Sequence, residues 1–142
     1  MNMTGRLVAL ACAAAAGFAA APASAETVKM KAALSGTQEV PPVPGSGRGL
    51  LDVTYDTAAK TLTWEGTYTG LTGAATAAHF HGPAELGANA GVAVPAPAPA
   101  SPFKGTATLT DAQATALTDG KMYFNVHTAA HPGGEIRGQV IR

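Results

Sequence analysis

Residues Lys121–Arg142, KMYFNVHTAAHPGGEIRGQVIR, leave the chain little choice of fold. Met122, Phe124 and Val126 alternate with Tyr123, Asn125 and His127, while Ile136, Gly138 and Val140 alternate with Glu135, Arg137 and Gln139. A period of two sends successive side chains to opposite faces of a strand, so each segment has one apolar and one polar face. Pro132-Gly133-Gly134 between them is a turn signal. The stretch predicts an antiparallel hairpin whose apolar face belongs to a core. Its other face carries His127, Glu135, Arg137 and Asn125, an unusual set for a surface that only has to meet water.

The rest of the chain has the same rhythm. Glu26–Ala33, Leu50–Tyr55, Thr61–Thr69, Thr76–His81 and Phe103–Leu109 read as strands rich in Thr, Val and aromatic residues. Trp64, Tyr55 and Tyr68 fit the core side of such a sheet. Thr37–Pro44 (TQEVPPVP) lacks ladder donors at Pro41, Pro42 and Pro44 and predicts an extended connection. Val92–Ala100 (VAVPAPAPA) begins like a strand, but its prolines predict a stiff surface segment. Thr110 followed by Gln113 is a capping-box signal, predicting one short helix over Asp111–Thr118 that buries Ala114 and Leu117 and stops at Gly120. Seven or so short strands with turns about every ten residues predict an all-β fold, an antiparallel Greek-key β-sandwich with one short helix.

Residues 1–25 read as a secretory signal peptide. Arg6 forms the basic start, Leu7–Ala21 the apolar run and Ala23-Ser24-Ala25 the cleavage site. Cys12, the one cysteine, leaves with it. The mature domain, residues 26–142, is then one unit of 117 residues with eight Lys or Arg against nine Asp or Glu, placed outside the cytoplasm, secreted or periplasmic. Its scattered charges exclude a phosphate-backbone partner, and no basic amphipathic stretch suggests membrane insertion after cleavage. An extracytoplasmic protein or envelope component remains open as a partner.

The chemistry-bearing residues are histidines. His79 and His81 are two apart in one strand, so both leave the same face roughly 6.5–7 Å apart. Two imidazoles at that spacing reach one ion at a bond length of about 2 Å. If the strand of His127 pairs beside them, three imidazoles converge. Glu135 is then a candidate fourth ligand or an acceptor for an imidazole N–H, with Asn125 and Arg137 as a supporting polar network. A cross-strand salt bridge between Glu135 and Arg137 is the competing reading of those two residues. His131 is expected to be an exposed turn residue. Nitrogen donors without thiolate suit copper or zinc, and the spacing does not choose between them. No nucleophile with a base, phosphate loop or carboxylate pair can be named, so no catalytic residue is assigned. Three functions stay open: a metal-binding protein, a metal-free structural or binding module, and a dismutase-like or hydrolytic metalloenzyme.

The chain resembles the CHRD (chordin-type) domain family. The likeness runs through Leu34-Ser35-Gly36-Thr37-Gln38-Glu39-Val40-Pro41-Pro42-Val43, Gly70-Leu71 and Ala78-His79-Phe80-His81-Gly82. It ends with Tyr123-Phe124-Asn125-Val126-His127-Thr128 and Pro132–Gln139. It implies an extracytoplasmic sandwich, immunoglobulin-like or superoxide-dismutase-like. The resemblance covers His79, His81, His127, Glu135 and Arg137, while His131 and the Pro95–Pro99 run depart from it. The His-x-His strand is also similar to the copper edge of Cu/Zn superoxide dismutases, a likeness that does not carry the activity with it.

Overall fold

A computed structural model describes residues 24–97 and 99–142. Residues 1–23 of the expected leader, Cys12 among them, lie outside the described residues. The strands are β1 (Thr27–Ser35), β2 (Arg48–Asp56), β3 (Thr61–Thr69), β4 (Ala75–His81), β5 (Val92–Pro95), β6 (Phe103–Thr108), β7 (Tyr123–Thr128) and β8 (Ile136–Gln139). One helix, α1 (Asp111–Thr118), sits between β6 and β7. The fold is all-β and every named pairing is antiparallel.

The strands form one sheet in the order β5-β4-β7-β8-β1-β2-β3-β6. It is continuous but weakly joined at its middle. Among the described residues, β8 meets β1 through Ser35 opposite Arg137, with a further bridge between Lys31 and Ile141. At this seam the sheet folds over, and its two halves pack face to face. Trp64 of β3 meets Phe80 of β4 edge-on at 5.1 Å, and Phe103 of β6 stacks on Phe124 of β7 at 5.5 Å. Such ring pairs add about 0.5–1.5 kcal/mol each beyond their buried area. The connections β3 to β4, β5 to β6 and β6 to β7 each cross between the halves, so chain order departs from sheet order.

The alternation that predicts the strands also fills the core. Val28, Met30, Ala32 and Leu34 of β1 are buried, as are Leu51, Val53 and Tyr55 of β2 and Leu62 and Trp64 of β3. Tyr68 is partly buried against them. Thr110 caps α1 reciprocally with Gln113, as its sequence predicts. The helix buries Ala116 and Leu117, whereas Ala114 is only partly covered. The Val92–Ala100 segment is less peripheral than its prolines suggest. Val92–Pro95 pairs with β4 as the outermost strand, where a residue without an N–H is tolerated. Ala96 is buried behind it and bonds through its N–H to Ala78.

Candidate metal centre

The β4–β7 register builds the centre. His79 lies opposite Asn125, His81 opposite Tyr123, and Ala77 opposite His127. Directly opposed residues share a face, so both β4 histidines project on the side that carries Tyr123, Asn125 and His127. Ala78, Phe80, Phe124 and Val126 fill the core on the other side. β8 extends the polar face, with Arg137 opposite Asn125 and Gln139 opposite Tyr123.

This face is roofed. The segment after Gly82 folds across it, and Tyr123 Oη both donates to Ala90 O and accepts from Ala90 N, each at 3.2 Å. Asn89 reaches from the same segment to Val40 O at 2.8 Å, tying it to the β1–β2 connection. His81 and His127 are therefore buried and His79 is half-buried.

Three imidazoles converge. The donor nitrogens of His79, His81 and His127 all lie within 4.8 Å of one another. His79 Nδ1 and His127 Nε2 are 3.0 Å apart. His127 Nδ1 is 2.9 Å from Pro132 O, and His81 Nδ1 is 3.0 Å from Ala90 O. A carbonyl can only accept, so both Nδ1 atoms carry hydrogen. In the neutral rings the lone pairs are then on Nε2. Burial, followed by the neighbouring imidazoles, holds the His79 pKa below its usual value. Burial also lowers that of His81, against the opposing hydrogen bonds of Ala90 and Asn125. Both shifts favour the neutral, lone-pair form that binds metals.

The other polar residues separate into two groups. Arg137 is buried, with its guanidinium carbon 3.4 Å from the centre of the Tyr123 ring. It donates to Asn89 Oδ1 at 2.8 Å and to Ala88 O at 2.5 Å. The opposite ring partner of Tyr123 is parallel to it: His81 stacks at 4.8 Å with an interplanar angle of 3°. Asn125 stands between the imidazoles and Glu39, its Oδ1 2.9 Å from His81 Nε2 and its Nδ2 3.4 Å from Gly133 O.

Glu135 stands apart from the imidazoles. The β8 ladder begins only at Ile136, and the Glu135 N–H bonds Val126 O at 2.8 Å. Its carboxylate turns to Thr72, accepting from the amide at 2.8 Å and from the hydroxyl at 2.8 Å, and takes the Thr128 hydroxyl at 2.6 Å. Burial pushes its pKa up, but these hydrogen bonds outweigh it and hold the group below the usual carboxylate range. Glu135 thus pins the Gly70–Gly73 turn to the closing hairpin, and no Glu135–Arg137 salt bridge forms among the described residues. His131 closes the turn through its backbone, bonding Thr128.

Glu39 is the residue that sequence reasoning missed. It follows a single 3₁₀ turn, Gly36–Gln38, and its side chain enters the polar face, 5 % exposed. Burial raises its pKa to about 7 against the opposing pull of Arg137 and a hydrogen bond with Asn125. Its Oε1 has no hydrogen-bond partner. Gly134, at φ +124°, makes room for it: a Cβ there would overlap Glu39 Oε1 and Asn125 Nδ2.

A family model described as CHRD domain matches residues 30–140, almost the whole described chain. No curated protein and no solved structure matches it.

Proposed function

The chain belongs to the CHRD domain family, and we propose that it works outside the cytoplasm as a binder of one transition-metal ion, copper or zinc, held by His79, His81 and His127. One observation carries the reading. Two backbone carbonyls, Ala90 and Pro132, fix His81 and His127 in the tautomer that leaves Nε2 bare, beside a third imidazole. Metal-ligating histidines characteristically donate their other N–H in this way.

The donor set fits an ion of this class. Donors of a tetrahedral site with bonds of about 2.0–2.1 Å lie ~3.3 Å apart. The His79–His127 pair is near that spacing already at 3.0 Å, and the widest pair, within 4.8 Å, has to close by less than about 1.5 Å. All three donors are uncharged nitrogens, a set that suits copper and zinc better than calcium or magnesium. When bound, zinc supplies Lewis acidity or a structural cross-link, and copper supplies a one-electron couple. The chain's own part is to hold three neutral imidazoles under a roof that restricts water. The family supports the extracytoplasmic placement, and the leader-like residues 1–25 agree with it.

Elemental analysis of tag-free protein, prepared without chelator and reloaded with each metal, tests the reading. About one copper or zinc per chain is expected, and none in His79→Ala/His81→Ala. Metal content unchanged in that variant, or no metal in either protein, overturns it. A metal-free scaffold is the second reading, favoured by the same 3.0 Å contact, which in the absence of an ion is a hydrogen bond between His79 and His127. It is the reading left standing if the wild-type protein takes up no metal.

A further inference from the structure

Asn125 presents an unusual contact. Its Oδ1 lies 2.9 Å from His81 Nε2, the nitrogen that the Ala90 carbonyl leaves without hydrogen in the neutral ring. Two lone pairs then face each other at hydrogen-bond distance, which is repulsive unless a cation lies beside them. The alternative orientation of the amide would send its N–H2 to His81 and its oxygen to Glu39 and Gly133 O. A carbonyl can only accept, so that orientation would set the amide oxygen against Gly133 O. As placed, Asn125 Nδ2 faces Gly133 O at 3.4 Å with Glu39 Oε1 packed beside it under Gly134, and the amide oxygen is left turned toward the imidazoles. Gly134 lets the carboxylate approach this closely, because any side chain there would overlap both groups. The β4–β7 register also sets Asn125 directly opposite His79, in the middle of the three histidines.

We propose that Asn125 Oδ1 is the fourth protein donor to the cation, and that Glu39 is a positioning residue that keeps this oxygen turned inward. The inference rests on the metal-binding reading and deepens it. A neutral carbonyl oxygen completes a three-imidazole set without adding charge to it. Glu39, packed against the amide nitrogen, acts on the cation only by orienting that amide. This gives the Glu39 of the TQEVPP stretch and the second glycine of the Pro-Gly-Gly turn a common purpose: both serve the orientation of one amide.

The test uses the full chain with Zn²⁺ for affinity, by competition with a chromophoric chelator, and Co²⁺ for its visible spectrum. Asn125→Ala and Glu39→Gln are each expected to weaken Zn²⁺ binding about 10–100-fold, the range for groups that support a metal site. Asn125→Asp, which keeps an oxygen in place, should retain or exceed wild-type affinity. Because Glu39 acts only through the amide, the double variant should bind no more weakly than Asn125→Ala alone. The Co²⁺ spectrum should change in Asn125→Ala and stay close to wild type in Asn125→Asp. Thermal melts of the metal-free variants establish that each is folded. Additive losses, or wild-type affinity and spectrum in Asn125→Ala, overturn this inference and leave the three-histidine reading intact. Failure of the wild-type chain to bind Zn²⁺ or Co²⁺ overturns both.

Discussion

Glu39→Gln should stabilise the metal-free protein at alkaline pH and leave it unchanged in acid. The folded protein raises the Glu39 pKa from 4.5 to about 7, with burial as the leading cause. A raised pKa means the folded state holds a proton that the unfolded chain has released. The contribution of that proton is complete below pH 4.5 and is lost as pH climbs through about 7. At 1.36 kcal/mol per pH unit, a shift of this size has a ceiling of about 3 kcal/mol. Solvent screening and relaxation around the carboxylate lower it, so ~1–2 kcal/mol is expected. Glutamine keeps the shape and never ionises, so it escapes the loss. Urea melts of both proteins in chelator, from pH 4 to pH 8.5, should coincide at the acid end. They should diverge between about pH 4.5 and pH 7 and then run parallel, with the variant more stable. Subtracting one profile from the other cancels groups common to both. A constant offset at all pH values, or a wild-type protein that is the more stable at pH 8, would refute the placement of a strained carboxylate beneath Gly134. A buried carboxylate that costs the metal-free protein stability is the kind of burden that binding sites commonly impose on their scaffolds.

Two further substitutions check the polar framework. Gly134→Ala has to adopt φ +124° and displace Glu39 and Asn125, and should cost about 2–4 kcal/mol in a denaturation melt; Gly133→Ala, with open space around it, should change stability by less than ~0.5 kcal/mol, and similar losses in both would argue against the cradle. Thr128→Val removes the 2.6 Å donor to the buried Glu135 carboxylate and should cost about 1–3 kcal/mol at neutral pH. Because the Glu135 pKa is lowered on folding, that penalty should shrink as pH falls below 4.5, and a penalty independent of pH would count against the carboxylate's role as the pin.

The strands were legible because their core residues obey a period of two without interruption, as in Val28, Met30 and Ala32 or Phe124 and Val126. The short helix was legible for a different reason: Thr110 and Gln113 declare its start locally. The histidine group followed from one inference, that the strands of His79 and His127 are neighbours, and the β4–β7 register supplies it. Alternation alone places Glu135 on the imidazole face, but the β8 ladder starts only at Ile136. The glycines of the turn break the ladder, and a carboxylate with three nearby donors goes where they are. Arg137 likewise finds the Tyr123 ring and two acceptors from the segment after Gly82, partners separated from it by almost fifty residues. Glu39 was illegible in principle to local reasoning. It sits in a proline-rich connection with no periodicity, and only the chain's path over the sheet brings its side chain inside. β5 was hidden because prolines argue against strands in general, and the rule relaxes at an outer edge.

The seam between β8 and β1 sets the order in which this protein can be assembled. β1, β2 and β3 are successive in sequence and adjacent in the sheet, so they can pair as soon as they are made. Strand β1 nevertheless keeps one side open until β8, about a hundred residues later, has been synthesised. In the other half β4 can pair early with β5, but its second neighbour β7, and then β8, come late in the chain. His79 and His81 are therefore made long before His127, Asn125 and Arg137 exist to meet them. Topologies dominated by such distant pairings fold on a scale of roughly milliseconds to seconds, and only after the chain is nearly complete. The polar face shared by β4, β7 and β8 is consequently among the last parts of the molecule to form.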